Sequence, residues 1–222
     1  MPVILALDTS GPFCSVALAV DGERWVESNR VDRQHNLHIL AAIDRVCALG
    51  GILPRALDGI AFVKGPGSFT GVRLCVAVTQ ALAFGADARV LGVTTSMALA
   101  LQARQLGIER CITAVRSRAL LWYLAGFSIS AGEVPVLQHV DQLVEKPPSW
   151  FVDYASLAGE PPPWIPPGIT VLPSDQTPAL TVLEYAVATF GSPAWVEAGD
   201  ALPVYIDGDH SWMPTTRRVS PV

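Results

Sequence analysis

The chain has 222 residues, a formal net charge of −5, half of its residues hydrophobic and only 16% charged. That length buries a sizeable core without metals or disulfides, and the charge is wrong for a chain that grips nucleic acid by itself: Arg110, Arg116 and Arg118 make only a loose basic cluster. A charged share below the roughly 25% usual in soluble domains means that much of the surface is internal or that part of it meets a partner.

No apolar run approaches the roughly 20 residues of a membrane span. Residues 2–7 are too short for a signal-peptide core, lack a basic flank and run into Asp8. Cys14, Cys47, Cys75 and Cys111 are far apart in apolar surroundings, as reduced thiols of a cytosolic protein would be. A cytoplasmic protein with no membrane contact is the expectation.

In chain order, VILALD (3–8), CSVALAV (14–20) and ERWVES (23–28) read as strands, with Asp21-Gly22 as a tight hairpin turn. Residues 36–49 carry a helical pattern, DGIAFVK (58–64) a strand, GPGSFTG a loop and residues 72–84 a helix. ARVLGV (88–93) is a further strand and residues 96–106 a helix. The order β-β-β-α-β-α-β-α is that of a ribonuclease-H-like unit, a mixed sheet opened by antiparallel strands and continued by parallel crossovers. ERCITAV (109–115) and LLWYLAGF (120–127) restart strand patterns, which predicts a second, poorer unit. Nine of the 18 prolines fall between Pro147 and Pro178, so that stretch should be mostly turns and edges, with one more helix over 179–190. The expected division is a lobe over 1–107 and a degenerate lobe over 108–222.

Two helices are apolar on too many sides. In the first, Ile39, Ile43 and Val46 make one stripe and Leu37, Leu40 and Cys47 a second; in the helix from Val72, only Arg73, Thr79 and Gln80 are polar. A helix covering one face of a sheet needs one stripe, so the surplus predicts either a subunit interface or burial within the chain.

The loop KGPGSFTGVR (64–73) invites a phosphate-binding reading. It lacks the G-x-x-x-x-G-K-[ST] pattern, because Gly71 is followed by Val72 and Arg73, and it has no G-x-G-x-x-G. Ser68 or Thr70 can cap a helix whose first amides favour an anion, and a sharp strand-to-helix corner explains Gly65, Pro66, Gly67 and Gly71 equally well. Ser68 also lies outside any G-x-S-x-G nucleophile elbow. His35 and His38 are spaced to face one way, but no third ligand lies nearby, so neither a metal site nor a catalytic residue is assigned.

ILALDTS, the hairpin CSVALAVDGERWVES, the helix opening HNLHIL and above all GPGSFTGVR followed by LGVTTSMALA resemble the bacterial TsaB family, also called YeaZ. The likeness is collinear over about residues 3–127 and loose beyond. It implies an α/β fold of the actin, hexokinase and Hsp70 superfamily, with two lobes of mixed sheet and the second reduced. It also implies a non-catalytic subunit of a threonylcarbamoyl transferase complex, needed for N6-threonylcarbamoyladenosine at position 37 of tRNA. The partners implied are TsaD, which carries the metal and the transfer chemistry, and TsaE, with tRNA reached only through the complex and a homodimer when the chain is alone. The two helices would supply the partner interface, through His35, Leu37, Leu40, Cys47, Ser68, Phe69, Thr70, Arg73, Val76 and Gln80. Arg116 and Asp207 depart from the family pattern, which often has an acid and a base there.

Superfamily nucleotide sites need two phosphate hairpins. Asp8, Thr9 and Ser10 supply part of the first, with Asp8 as a carboxylate for hydrated magnesium; residues 114–118 have neither carboxylate nor glycine for the second. ATP or ADP with magnesium, held at the junction with TsaD, is the implied cofactor. A stand-alone ATPase or small-molecule kinase is the alternative.

Overall fold

The computed structural model describes residues 1–206 apart from 32, 33, 119, 174 and 177. Asp207 and His210 therefore lie outside the described residues. The first sheet has strand order β3-β2-β1-β4-β5, formed by β1 (Ile4–Asp8), β2 (Phe13–Val20), β3 (Glu23–Arg30), β4 (Gly59–Val63) and β5 (Arg89–Val93). β1 pairs antiparallel to β2 and β2 to β3, whereas β1–β4 and β4–β5 are parallel. The β2–β3 turn forms because Asp21 and Gly22 both take positive φ, 50° and 91°, as a two-residue turn matched to strand twist requires.

β1 and β4 are buried at every position, which is why they read as unbroken apolar runs. Leu5, Leu7, Ile60 and Phe62 face one side, where α1 (His35–Leu49) and α2 (Phe69–Ala86) pack through Ile39, Ile43, Val46, Cys75 and Val76. Ile4, Ala6, Ala61 and Val63 face the other side, where they meet Ala179, Val182, Leu183 and Ala186 of α4 (Pro178–Thr189). Each fully buried Ile or Val of α1 stabilises the layer by roughly 1.5–3 kcal/mol.

The second sheet has order β10-β9-β6-β7-β8, with β6 (Arg110–Arg116), β7 (Trp122–Ser128), β8 (Val136–Val144), β9 (Ser156–Gly159) and β10 (Thr170–Val171). Its pairings repeat the first: antiparallel from β6 through β7 to β8, parallel from β6 through β9 to β10. Where the first sheet uses α1 and α2 as connections, the second uses a 3-10 turn, Ser149–Asp153, and the proline-rich segment 160–169. The prolines thus lie in a parallel crossover stripped of its helix, and Phe151, Trp164 and Ile165 from these connections close over Ile112, Leu124 and Leu157. The sequence reading of 147–178 as turns and edges missed β9, which is inserted between β6 and β10, and also missed β8 before it.

α3 (Thr95–Gln105) follows β5 and lies between the two sheets. Ala98 joins the α4 cluster, while Ala100 and Ala103 pack with Cys111, Ala125 and Phe127 of the second sheet. Past α4 the chain returns to the first sheet: Val196 and Val90 exchange backbone hydrogen bonds of 2.9 Å, covering the free edge of β5. It then runs along α2, where the Gln80 side-chain amide donates to the Ala201 carbonyl at 3.0 Å.

Candidate partner interface and interlobe cleft

The GPGSFTG loop is a docked corner. Ser68 N–H donates to the Ser10 carbonyl at 2.8 Å, and the Thr9 hydroxyl donates to the Gly71 carbonyl at 2.7 Å. A Cβ at Gly67 would lie 2.5 Å from the Ser10 carbonyl oxygen, and one at Gly71 would collide with that of Thr9. Glycine is needed at both positions for this close approach. Gly65 has φ of 98°, a conformation open to glycine, and Pro66 follows it through a cis bond. Ser68 caps α2, accepting the Gly71 N–H at 3.3 Å.

The corner sets the phase of α2. Gly71, Val72, Cys75, Val76, Thr79 and Ala83 point inward. Phe69, Thr70, Ala77, Ala81 and Phe84 point out, with Phe84 70% exposed. On α1, Ile39, Ile43, Val46 and Cys47 are buried, whereas Leu37, Leu40 and Leu49 are 67%, 59% and 65% exposed. Both helices therefore present leucines, alanines and phenylalanines on the side of the sheet away from α4.

Of the residues expected at a partner surface, Leu37, Leu40, Ser68, Phe69 and Thr70 are exposed. Cys47 and Val76 instead lie in the packed stripe of each helix, buried against the first sheet. His35 is buried beneath this face. Arg73 and Gln80 are held by the chain's own C-terminal segment. The Arg73 guanidinium donates to the Tyr205 hydroxyl from Nε and Nη2 at 3.2 and 3.1 Å and lies 3.8 Å above the Phe69 ring. Leu49, Ala77, Ala81 and Phe84 escaped the sequence reading, although Ala77, Ala81 and Phe84 follow the 4 and 3 spacing of one helical face. By length and composition α2 would also span a bilayer, contrary to the expectation that no run would; a third of that window is buried, on the sheet.

Between the first turns of α1 and α2 is an open cavity of about 370 Å³, lined by His35, Asn36, Ser68, Thr70 and Leu74 among others. Neither helix has an acid in its first turn, and α1 has no side-chain cap. Uncompensated amide dipoles there favour an anion. Burial holds the His35 imidazole below its usual pKa, partly offset by the Gly11 backbone, and its Nδ1 is buried without a partner.

A second cavity, of about 420 Å³, opens between the sheets beneath α3 and is walled in part by Asp8, Thr95, Arg116, Glu160 and Asp175. Asp8 ends β1 and accepts the Ser10 N–H at 2.7 Å. Burial pushes its carboxyl up to about 6; Ser10 opposes the shift and Asp175 adds to it. Thr9 is fully buried, and its hydroxyl donates to the Gly71 carbonyl.

The residues do not fit a nucleotide with magnesium. Arg116, the one cation in the wall among the described residues, is paired with Glu160 at 3.2 Å. The turn after β6, where a second phosphate hairpin would stand, turns its Ser117 and Leu121 amides to its own carbonyls. Phosphate oxygens would face the carboxylates of Asp8, Asp175 and Glu160.

Comparisons agree with the geometry. A family model described as TsaD, tRNA N6-adenosine threonylcarbamoyltransferase, matches residues 27–126, from β3 to β7. The tRNA threonylcarbamoyladenosine biosynthesis protein TsaB of Haemophilus influenzae is 41% identical over 116 residues, 52% of this chain and 49% of that protein. Its namesake in Escherichia coli is 37% identical over 116 residues, 52% of this chain and 50% of that protein. The chain thus spans about half the length of the curated relatives it matches. The solved structure of YeaZ from Pseudomonas aeruginosa superposes with a TM-score of 0.77 at 30% identity, over 93% of this chain and all of that one. The likeness thus extends through the second sheet, and the fold is the actin-like, ribonuclease-H-like one of that structure. With the corner loop, the two mixed sheets and these relatives in agreement, the chain belongs to the TsaB (YeaZ) family.

Proposed function

We propose that this chain is a non-catalytic subunit in the biosynthesis of threonylcarbamoyladenosine on tRNA, acting as the dimer partner and activator of TsaD together with TsaE in the cytoplasm. The observation that carries the reading is the outward face of α1 and α2, where Leu37, Leu40, Leu49 and Phe84 are each more than half exposed. Surfaces of this kind are rarely left wet, and a partner of related fold can offer the matching helix pair. In the partner's absence a second copy covers the same face. The catalytic metal and the transfer step belong to TsaD, and tRNA is reached through the complex. The division into lobes over 1–107 and 108–222 is part of the same proposal, with α4 tying the second lobe onto the first sheet.

The cofactor reading moves from the Asp8 turn to the cavity between the first turns of α1 and α2. Phosphates of ATP or ADP held at the junction with TsaD would meet the amides of both helices and the Ser68 and Thr70 hydroxyls, with the partner closing the open side.

Reconstitution of tRNA modification with TsaD and TsaE tests the proposal. Modification should depend on this chain and drop at least tenfold with Leu40→Glu. Full activity without the chain, or ATP hydrolysis by the chain alone that Asp8→Ala abolishes, would favour the stand-alone enzyme instead.

A further inference from the structure

We propose that the cavity between the first turns of α1 and α2 binds a phosphate-type oxyanion in the free chain, and that His35 takes up a proton as the anion enters. This deepens the reading that phosphates occupy this cavity, on which it rests, but it requires no partner.

The donors come first. Ser68 caps α2 by accepting the Gly71 amide, and the amides of Phe69 and Thr70 make no hydrogen bond among the described residues. α1 opens without a side-chain cap, and neither helix has an acid in its first turn. Two helix starts therefore bring positive partial charge to one cavity. Asn36, Ser68 and Thr70 border it with side chains that can donate, Phe69 and Leu74 add apolar wall, and none of these residues is acidic.

Helix starts of this kind are common, and the feature that singles this one out is His35. It borders the same cavity yet is only 5% exposed, and its Nδ1 is buried without a partner among the described residues. Whether that atom carries a proton or a lone pair, it is unsatisfied. A proton taken up there makes a buried cation, which is costly without a countercharge. An oxyanion in the adjoining cavity supplies the countercharge, so proton and anion each favour the other.

The charged surroundings leave that part to the ligand. Burial holds the imidazole below its usual pKa and His38, on the same helix, lowers it further, while the Gly11 backbone acts the other way. Cys14 of β2 and Cys75 of α2, in the core cluster that α1 packs on, are pushed up by burial to about 11 and about 12 and stay neutral. On β3, Glu27 and Arg30 border a separate hollow with Arg45 and His38. Arg73 of α2 is turned to Tyr205, and Asp8 of β1 borders the interlobe cleft. Asp32 and Arg33, just before α1, lie outside the described residues. With the free imidazole neutral near pH 8, anion affinity rises as the pH falls.

The test uses the full chain, isotopically labelled, titrated with sulfate at pH 6 and pH 8 and constant ionic strength; sulfate keeps its charge across that window. The amide signals of Phe69 and Thr70 report occupancy, and the His35 ring signals report its proton. Sulfate should bind saturably and about threefold or more tighter at pH 6 than at pH 8, and His35 should titrate at higher pH in its presence. His35→Gln should abolish the pH dependence and His38→Gln should keep it. Arms with ADP and adenosine identify the source. ADP that displaces sulfate, with adenosine inert, assigns the site to a nucleotide's phosphate; sulfate binding that ADP leaves undisturbed assigns it to a free oxyanion. Failure of sulfate to saturate the signals, equal affinity at the two pH values, a His35 titration that sulfate leaves unmoved, or pH dependence that survives in folded His35→Gln protein would each overturn the proposal. The ring titration is read on the parent chain, so it decides the matter even where the variant does not fold. TsaD binding is measured separately, so failure here leaves the partner role standing, and failure of the partner role leaves these signals unchanged.

Discussion

Ser10 and Ser68 are joined backbone to backbone: the Ser68 amide donates to the Ser10 carbonyl at 2.8 Å, which locks the corner before α2 onto the turn after β1. This contact links the exposed α1–α2 face to the cleft. It fixes where α2 starts and hence which residues of α2 look outward, and it holds the Asp8 turn that walls the cavity.

Gly71→Ala should therefore be costly. Its Cβ would enter the Thr9 carbonyl, a backbone atom that cannot swing aside. A loss of about 3 kcal/mol, the upper range for single substitutions, should appear in urea unfolding. Gly85→Ala, on the same helix with open space around it, should be neutral or mildly stabilising. Equal effects of the two would show that the close approach is not what requires glycine.

The two sides of α2 should respond oppositely to charge. Val76→Glu places a carboxylate in the cluster around Phe62 and Cys75 and should unfold the chain or cost at least about 3 kcal/mol. Phe84→Glu, on the exposed side, should change stability by about 0.5 kcal/mol or less. Thermal melts of both variants decide whether the inward and outward assignments hold.

Asp8 should make stability fall as pH rises. Its folded pKa of about 6 lies above the 3.8 of an ordinary aspartate, so the fold favours the protonated form. The contribution is complete below about pH 4 and is lost as the pH passes 6, amounting to about 3 kcal/mol at most. Asp8→Asn keeps an acceptor for the Ser10 amide and removes the charge. It should be more stable than the parent at pH 8 and indistinguishable near pH 4. Parallel stability curves for the two proteins would mean that Asp8 is adequately solvated or paired.

The hairpin at Asp21-Gly22 and the corner at Gly65–Gly71 were legible because both rest on local backbone geometry that few residues satisfy. β8 was not: VLQHVDQLV is an edge strand whose Val136, Leu137 and Val140 are exposed, so burial imposes no clean alternation on it. β9 is four residues long within the proline-rich stretch, and its strand character comes from lying between β6 and β10. Leu40 could be placed outward from its stripe, but Val76 could not be told from Ala77. A helix apolar on both sides carries no phase until its start is fixed, and the start depends on Ser68 meeting Ser10. The cleft had no local signature, since Asp8, Thr95, Glu160 and Asp175 come from four separate parts of the chain.

The measurement that bears most directly on the partner role is calorimetric titration of TsaD with the parent chain and with the Leu40→Glu and Phe84→Glu variants, each first shown to be folded. The account predicts saturable binding by the parent and at least tenfold weaker binding by both variants. Binding of both variants with unchanged affinity would contradict it.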